Sequence, residues 1–318
     1  VNLDAANAIP RLVEAGILPE ERAPTLLRAA QGRLVSVRLE LRLVLYVGVL
    51  LVMAGVGLLI EENLDRIGPG IIAAVIGLAA AAALGWVAWI APPFSRGEVP
   101  SPNLAFDYIL LLGVLLAAAD LAYIEVQFTP LGPNWTWHLL LVALGAAVAA
   151  VRFDSRVVFA LALATFAAWR GVSVSPYGNL AASESVVRWN AIGCGVLFIL
   201  LGFGMKRAKF KAHFEPAAVH LGWLLILGAL ASGIELTGEG RGWAAMLFFT
   251  GAALAAGAFR WRRFPLFAFG VLGGYVGLSA LVVSLGDVAA FGCFWFFATS
   301  LLVIVGLVVA QRRMREPL

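Results

Sequence analysis

From position 41 to position 310, apolar residues run in blocks of about twenty, broken by short polar clusters. A helix rising 1.5 Å per residue needs about 20 predominantly apolar residues to cross roughly 30 Å of hydrocarbon. The blocks predict ten spanning helices, at about 41–60, 70–91, 104–124, 136–151, 156–171, 189–204, 217–236, 242–259, 264–285 and 288–310. The fourth and fifth are short, because VRFDSR lies between them and leaves each less than a full crossing length. Between the first and second, EENLDRI reads as a turn in water. Gly68-Pro69-Gly70 then breaks one helix and starts the next, since Pro69 needs no amide partner there.

Before position 41 the pattern changes. LDAANAIPRLVEAGILPEERAPTLLRAAQG predicts two short amphipathic helices. Gly16 stops the first, Pro19 opens the second with Glu20 and Glu21 in its first turn, and Gly32 ends it. Their apolar residues, Leu12, Val13, Ile17, Leu18, Leu26 and Leu27, require a partner surface, either the cytoplasmic face of the bundle or the lipid headgroup layer. RLVSVRLELR then leads helically into the first span and brings Arg33, Arg38 and Arg42 to the level of anionic lipid phosphates. The expected organisation is a cytoplasmic helical module over 1–40, an all-α transmembrane bundle over 41–311 and a cytoplasmic tail over 312–318.

Composition removes the alternative of a water-soluble fold. Hydrophobic residues make up 62% and charged residues 13%, against about 45–50% and about 25% in an ordinary soluble domain. The bilayer is the partner such a surface requires. Arg11, Arg22, Arg28, Arg33 and Arg38 are scattered through the region before the first span, unlike the layout of a cleavable signal, so that span is expected to be retained.

Charge then sets the orientation. With the N-terminus inside, only Arg66, Arg170, Arg188 and Arg241 of the 23 Lys and Arg fall in outer segments. Basic residues gather on the cytoplasmic side of short loops, so ten spans with both termini cytoplasmic is the economical topology. Tryptophan favours the headgroup level. Trp86, Trp89 and Trp261 fall at inner ends and Trp135, Trp137, Trp169, Trp189 and Trp243 at outer ends. The net charge of +4 follows from this asymmetry and does not point to nucleic acid.

LVEAGILPEERAPTLL, followed by a basic linker and LYVGVLLVMAGVGLLIEENLDRI, resembles the bacterial predicted membrane proteins of the domain-of-unknown-function 2157 family. The family pattern is a short helical module, a Gly-rich first span and an Asn-Trp-Asp sequence just after it. Asn63 and Asp65 match, Leu64 stands in place of the Trp, and Glu61 and Glu62 stand in place of small residues. The resemblance extends from the N-terminal module to the end of the EENLDRI stretch. It implies an inner-membrane location and a multi-span body, and supplies no catalytic residue.

Acids inside a membrane are costly, and each is a functional hypothesis by default. Asp107 and Asp120 share the third span but sit about 220° apart around it, so they form no carboxylate pair. Asp120, Glu125 and His138 are the candidate lining of a polar cavity or proton path; the alternative is buried hydrogen bonds to neighbouring helices. Glu61, Glu62, Asn63 and Asp65 are the candidate outer acidic turn, part of a vestibule that attracts cations or simply a solvated loop. His213 and His220 could share a helix face, without a third ligand for a metal. Gly270, Gly273, Gly274 and Gly277 make overlapping small-residue patterns for close helix packing, with Tyr275 beside them.

Cys194 and Cys293 alone cannot build a disulfide framework or thiolate metal site. No catalytic constellation or cofactor motif is present. Spans one and six share GVLLVMAGVG and GVLFILLGFG, a weak sign of a five-span inverted repeat. The sequence therefore supports an integral membrane protein of undefined activity. A secondary transporter for a small solute or ion is the alternative, and an enzyme acting on a lipid-linked substrate a lesser one.

Overall fold

The computed structural model describes residues 3–16, 18–30, 38–172, 184–234, 240–284 and 288–315. Among them the chain forms α-helices and no strand: α1 (Leu3–Glu14), α2 (Ala23–Ala30), α3 (Arg38–Ile67), α4 (Pro69–Ile90), α5 (Leu104–Phe128), α6 (Trp137–Phe153), α7 (Arg156–Ala167), α8 (Glu184–Arg207), α9 (Glu215–Ser232), α10 (Arg241–Arg260), α11 (Phe264–Val283) and α12 (Val288–Arg315). Two compact units divide the chain, Val1–Glu62 and Asn63–Leu318, with the boundary inside α3.

In the first unit, α1 and α2 pack together. Gly16 takes the left-handed conformation (φ +69°) that lets the chain turn after α1. A short 3-10 turn at Glu20–Arg22 follows Pro19 and runs into α2. Ile9 is buried, whereas Leu12 and Leu26 stay exposed. Ile17 and Gly32 lie outside the described residues.

EENLDRI is not a turn. α3 continues through it to Ile67, and the break is confined to Gly68 (φ 80°) with Pro69 at the first position of α4. Glu, Asn, Leu, Asp and Arg all tolerate helical backbone, so nothing stops the helix until a residue free to adopt positive φ. The backbone at Glu61, Glu62, Asn63 and Asp65 is helical; their side chains lie outside what is described.

In the second unit, consecutive helices pack as hairpins: α4 with α5, α6 with α7, α8 with α9, and α10 with α11. Among the described residues, six helical stretches are long and apolar enough to cross a membrane: Pro69–Ile90, Ala105–Phe128, Ser185–Arg207, Ala212–Ser232, Arg241–Arg260 and Phe264–Val283. α6 has 17 residues, and α7 has 12 plus a π-helical turn at Ala168–Val172. α5 runs to Phe128, past the expected end at 124, so Asp120 lies eight residues from that end, about 12 Å at 1.5 Å per residue.

Three hairpins turn in the same way. A non-glycine residue in the left-handed region ends the first helix, at Asp154 (φ 63°), Lys209 (φ 51°) and Arg262 (φ 53°). The next amide donates back to the carbonyl five residues earlier: Ser155 to Ala150 (3.2 Å), Phe210 to Met205 (3.0 Å) and Arg263 to Ala258 (2.9 Å). This is a Schellman closure, which satisfies orphan carbonyls at the helix end.

Small residues let hairpin partners touch backbone to backbone. A Cβ added at Gly251 would lie 2.3 Å from the Gly274 amide nitrogen, and one at Gly277 2.5 Å from that of Phe248. Gly195 and Gly222 stand in the same relation between α8 and α9. Val219, Leu227, Leu230, Leu247, Leu254 and Leu266 fill the core among α9, α10 and α11. A five-helix inverted repeat would map α4/α5 onto α9/α10 and α6/α7 onto α11/α12, pairs that pack far less extensively. The architecture is a series of like-oriented hairpins.

Candidate functional site

The hairpin tips meet through one segment. Lys211, Ala212, His213, Phe214 and Glu215 lead into α9, and four of these five side chains reach other tips. Lys211 Nζ lies 3.1 Å from Asp154 Oδ2 in the α6–α7 tip and donates to the Gly97 carbonyl (3.3 Å) in the α4–α5 connection. The Lys211 amide donates to Arg96 O at 2.7 Å. Asp154 Oδ2 also accepts from the Val99 amide. His213 Nε2 lies 2.5 Å from Asp154 Oδ1. Phe214 stacks on Phe159 of α7, with centroids 4.6 Å apart. Glu215 accepts from Arg263 at 2.6 Å in the α10–α11 tip.

This cluster is almost dry, with Lys211 1% and Glu215 4% exposed. A buried ion pair is retained only when its charges are well partnered, because desolvation costs several kcal/mol per ion. Lys211 is therefore a structural member of the tip and not a lipid-facing anchor.

Glu125 Oε2 accepts from the Leu131 amide (3.2 Å) and so closes the turn after α5. His138 Nδ1 contacts the Trp135 carbonyl, and its ring stacks on Trp135. Both side chains serve the ends of their own helices. Asp107, in the first turn of α5, accepts from Ser101 (2.7 Å). His213 and His220 part company: His220 packs edge-on against Phe269. Among the described residues no three His, Cys, Asp or Glu side chains converge as a metal set. Cys194 is buried and free, and the Cys293 side chain is outside the described set.

Asp120 differs from the others. Its carboxylate lies against Gly77 of α4, where an added Cβ would come within 2.9 Å of Oδ2. Among the described residues its buried Oδ1 has no hydrogen-bond partner. α4 carries no ionisable residue at all. A second polar group, Tyr275, bonds Thr299 (3.1 Å) and Ser300 (2.9 Å) of α12, while Trp295 Nε1 donates to Ser279 Oγ (3.3 Å). Gly270 and Gly277 face α10, whereas Gly273 packs on Leu227 of α9.

At the opposite end of the hairpins, arginines close helix C-termini. Arg188 of α8 donates to Ser232 O at the end of α9 (3.2 Å) and lies over Trp243 (4.7 Å). Arg241 of α10 donates to Ser284 O at the end of α11 (2.7 Å). Each first helix thus caps its own partner, where orphan carbonyls favour a cation. The long connection at 173–183, and Glu235, Glu239 and Asp287, lie outside the described residues.

Apolar helices of spanning length, with apolar side chains turned outward along them, define an integral membrane protein embedded in a lipid bilayer. Residues 10–159, just under half of the chain, match the family model described as Predicted membrane protein (DUF2157). The match runs well past the EENLDRI stretch, to the start of α7. No curated protein and no solved structure matches the chain.

Proposed function

We propose that the protein is a ten-span permease of the bacterial inner membrane, with both termini in the cytoplasm, and that it moves a small solute or ion with Asp120 as its charge-carrying group. The observation that carries this reading is the buried Oδ1 of Asp120, unpartnered among the described residues and held against Gly77 well inside the α4–α5 hairpin. An ionisable side chain inside a membrane is expensive and marks substrate or ion pathways. The structural use of such groups, a hydrogen bond close to a helix end, accounts for Glu125 and His138 and leaves Asp120 aside.

Orientation is supported by the tips. Arg96, Arg152, Arg156, Lys206, Arg207, Lys209, Arg260 and Arg262 cluster at the hairpin ends joined by Lys211, and the exposed Trp89 and Trp261 flank them. That is the cytoplasmic signature.

The test is flux in proteoliposomes across a panel of protons, sodium, potassium and small organic cations. Wild-type protein should conduct at least one, and Asp120→Asn should abolish it. Equal flux from Asp120→Asn and wild type for every conducted species would remove Asp120 from the mechanism.

A further inference from the structure

α5 carries a second orphaned polar atom: Tyr123 is 9% exposed, and its buried hydroxyl has no hydrogen-bond partner among the described residues. Tyr123 follows Asp120 by three positions, and Gln127 follows by seven. On a helix these offsets place the three side chains within about 60° of one another, in a single stripe rising toward the end of α5 at Phe128. The stripe runs from Asp120, through Tyr123 one turn on, to the half-buried Gln127 in the last turn.

A buried polar group left unsatisfied is costly, and buried groups in folded proteins are almost always paired with protein or with water. Water enters such a seam only where two or more polar partners converge on it. Asp120 and Tyr123, one turn apart on α5, carry two such atoms, Oδ1 and Oη. Gly77 opposite supplies the room, because any side chain there would run into the carboxylate.

We infer that Asp120, Tyr123 and Gln127 form the outer half of a proton path along α5. A proton enters from outer solvent, passes over water held between the Gln127 amide and the Tyr123 hydroxyl, and lands on Asp120 Oδ1. This inference rests on the permease reading and names protons as the coupling species. No charged residue of α4 competes for the proton, since α4 has none. Glu125 and His138, on α5 and α6, are held by Leu131 and Trp135.

Cysteine accessibility tests the path without relying on transport. In full-length protein carrying Cys194→Ser and Cys293→Ser, single Gln127→Cys, Tyr123→Cys and Leu121→Cys changes are exposed to a membrane-impermeant thiol reagent from outside. Thiols react as thiolates and need water. Tyr123→Cys should therefore label roughly tenfold faster than Leu121→Cys, although Leu121 is the more exposed side chain, at 37%. Labelling of Tyr123→Cys no faster than Leu121→Cys overturns the path. If Asp120→Asn still abolishes flux in that case, the permease reading survives alone. Tyr123→Phe should also reduce proton flux, and unchanged proton flux with lost sodium flux would overturn the proton assignment.

Discussion

Lys211 Nζ stands 3.1 Å from Asp154 Oδ2, and both residues hold left-handed backbone, with φ 47° at Lys211 and 63° at Asp154. Left-handed backbone is uncommon for a residue with a side chain. Here it aims two charges at each other across separate hairpins, in a site that excludes water. Removing Lys211 takes the ammonium from the buried Asp154 and leaves it the Val99 amide and the His213 contact, so Lys211→Met should destabilise the protein by about 3 kcal/mol. Adding Asp154→Asn to Lys211→Met should recover part of that loss, as read by thermal or denaturant unfolding in detergent. A double variant as unstable as the sum of the two single changes would mean that the pair does not act as a unit.

Gly270 tests the close contact of α10 and α11. An added Cβ would meet the Ala255 amide nitrogen at 2.5 Å, and backbone cannot rotate aside as a side chain can. Gly270→Ala should cost about 1–3 kcal/mol. Gly242→Ala, with nothing within 4 Å of the added atom, should change stability by no more than about 0.5 kcal/mol. Similar melting shifts for the two would contradict the contact.

Arg188 and Arg241 perform the same cap in successive hairpins. Each replacement by Gln should lower stability by about 0.3–1 kcal/mol. Because the caps serve separate helices, the two losses should add. Hydrogen exchange should rise at the end of α9 in one variant and at the end of α11 in the other.

α12 packs on α11 far less extensively than α10 does, and Tyr275 supplies its hydrogen bonds to Thr299 and Ser300. Tyr275→Phe removes them at a cost of about 0.6 kcal/mol, a typical value for a side-chain bond within a membrane. The expected result is faster hydrogen exchange around 295–300 with the rest of the bundle unchanged. Uniformly altered exchange would show that Tyr275 does not hold α12 locally.

Hydropathy made the helices legible, because each apolar block is a local property of consecutive residues. The break at Gly68-Pro69 was legible for the same reason, but EENLDRI was misread: polarity alone does not end a helix, and α3 needed Gly68 to stop. The Lys211 cluster left little trace, since its contacts join residues 114 positions apart, to Gly97, while Val99 and Asp154 are 55 apart. The available clue was Asp154 itself, an acid in a short loop between arginines where basic residues predominate. Asp120 was legible as an acid in an apolar run. Its isolation was not, because that depends on Gly77 across the hairpin and on Tyr123 lacking a partner among the described residues.

The proposed permease and its path along α5 require the four hairpin tips to lie at one membrane surface, facing the cytoplasm, and the α5–α6 connection to lie at the other. In the cysteine-free protein, Asn134→Cys and Ala208→Cys place one exposed thiol at each end. With an impermeant maleimide on intact cells, Asn134→Cys should label at once and Ala208→Cys only after lysis. Labelling of Ala208→Cys in intact cells would contradict the topology and, with it, the outward direction of the path to Asp120.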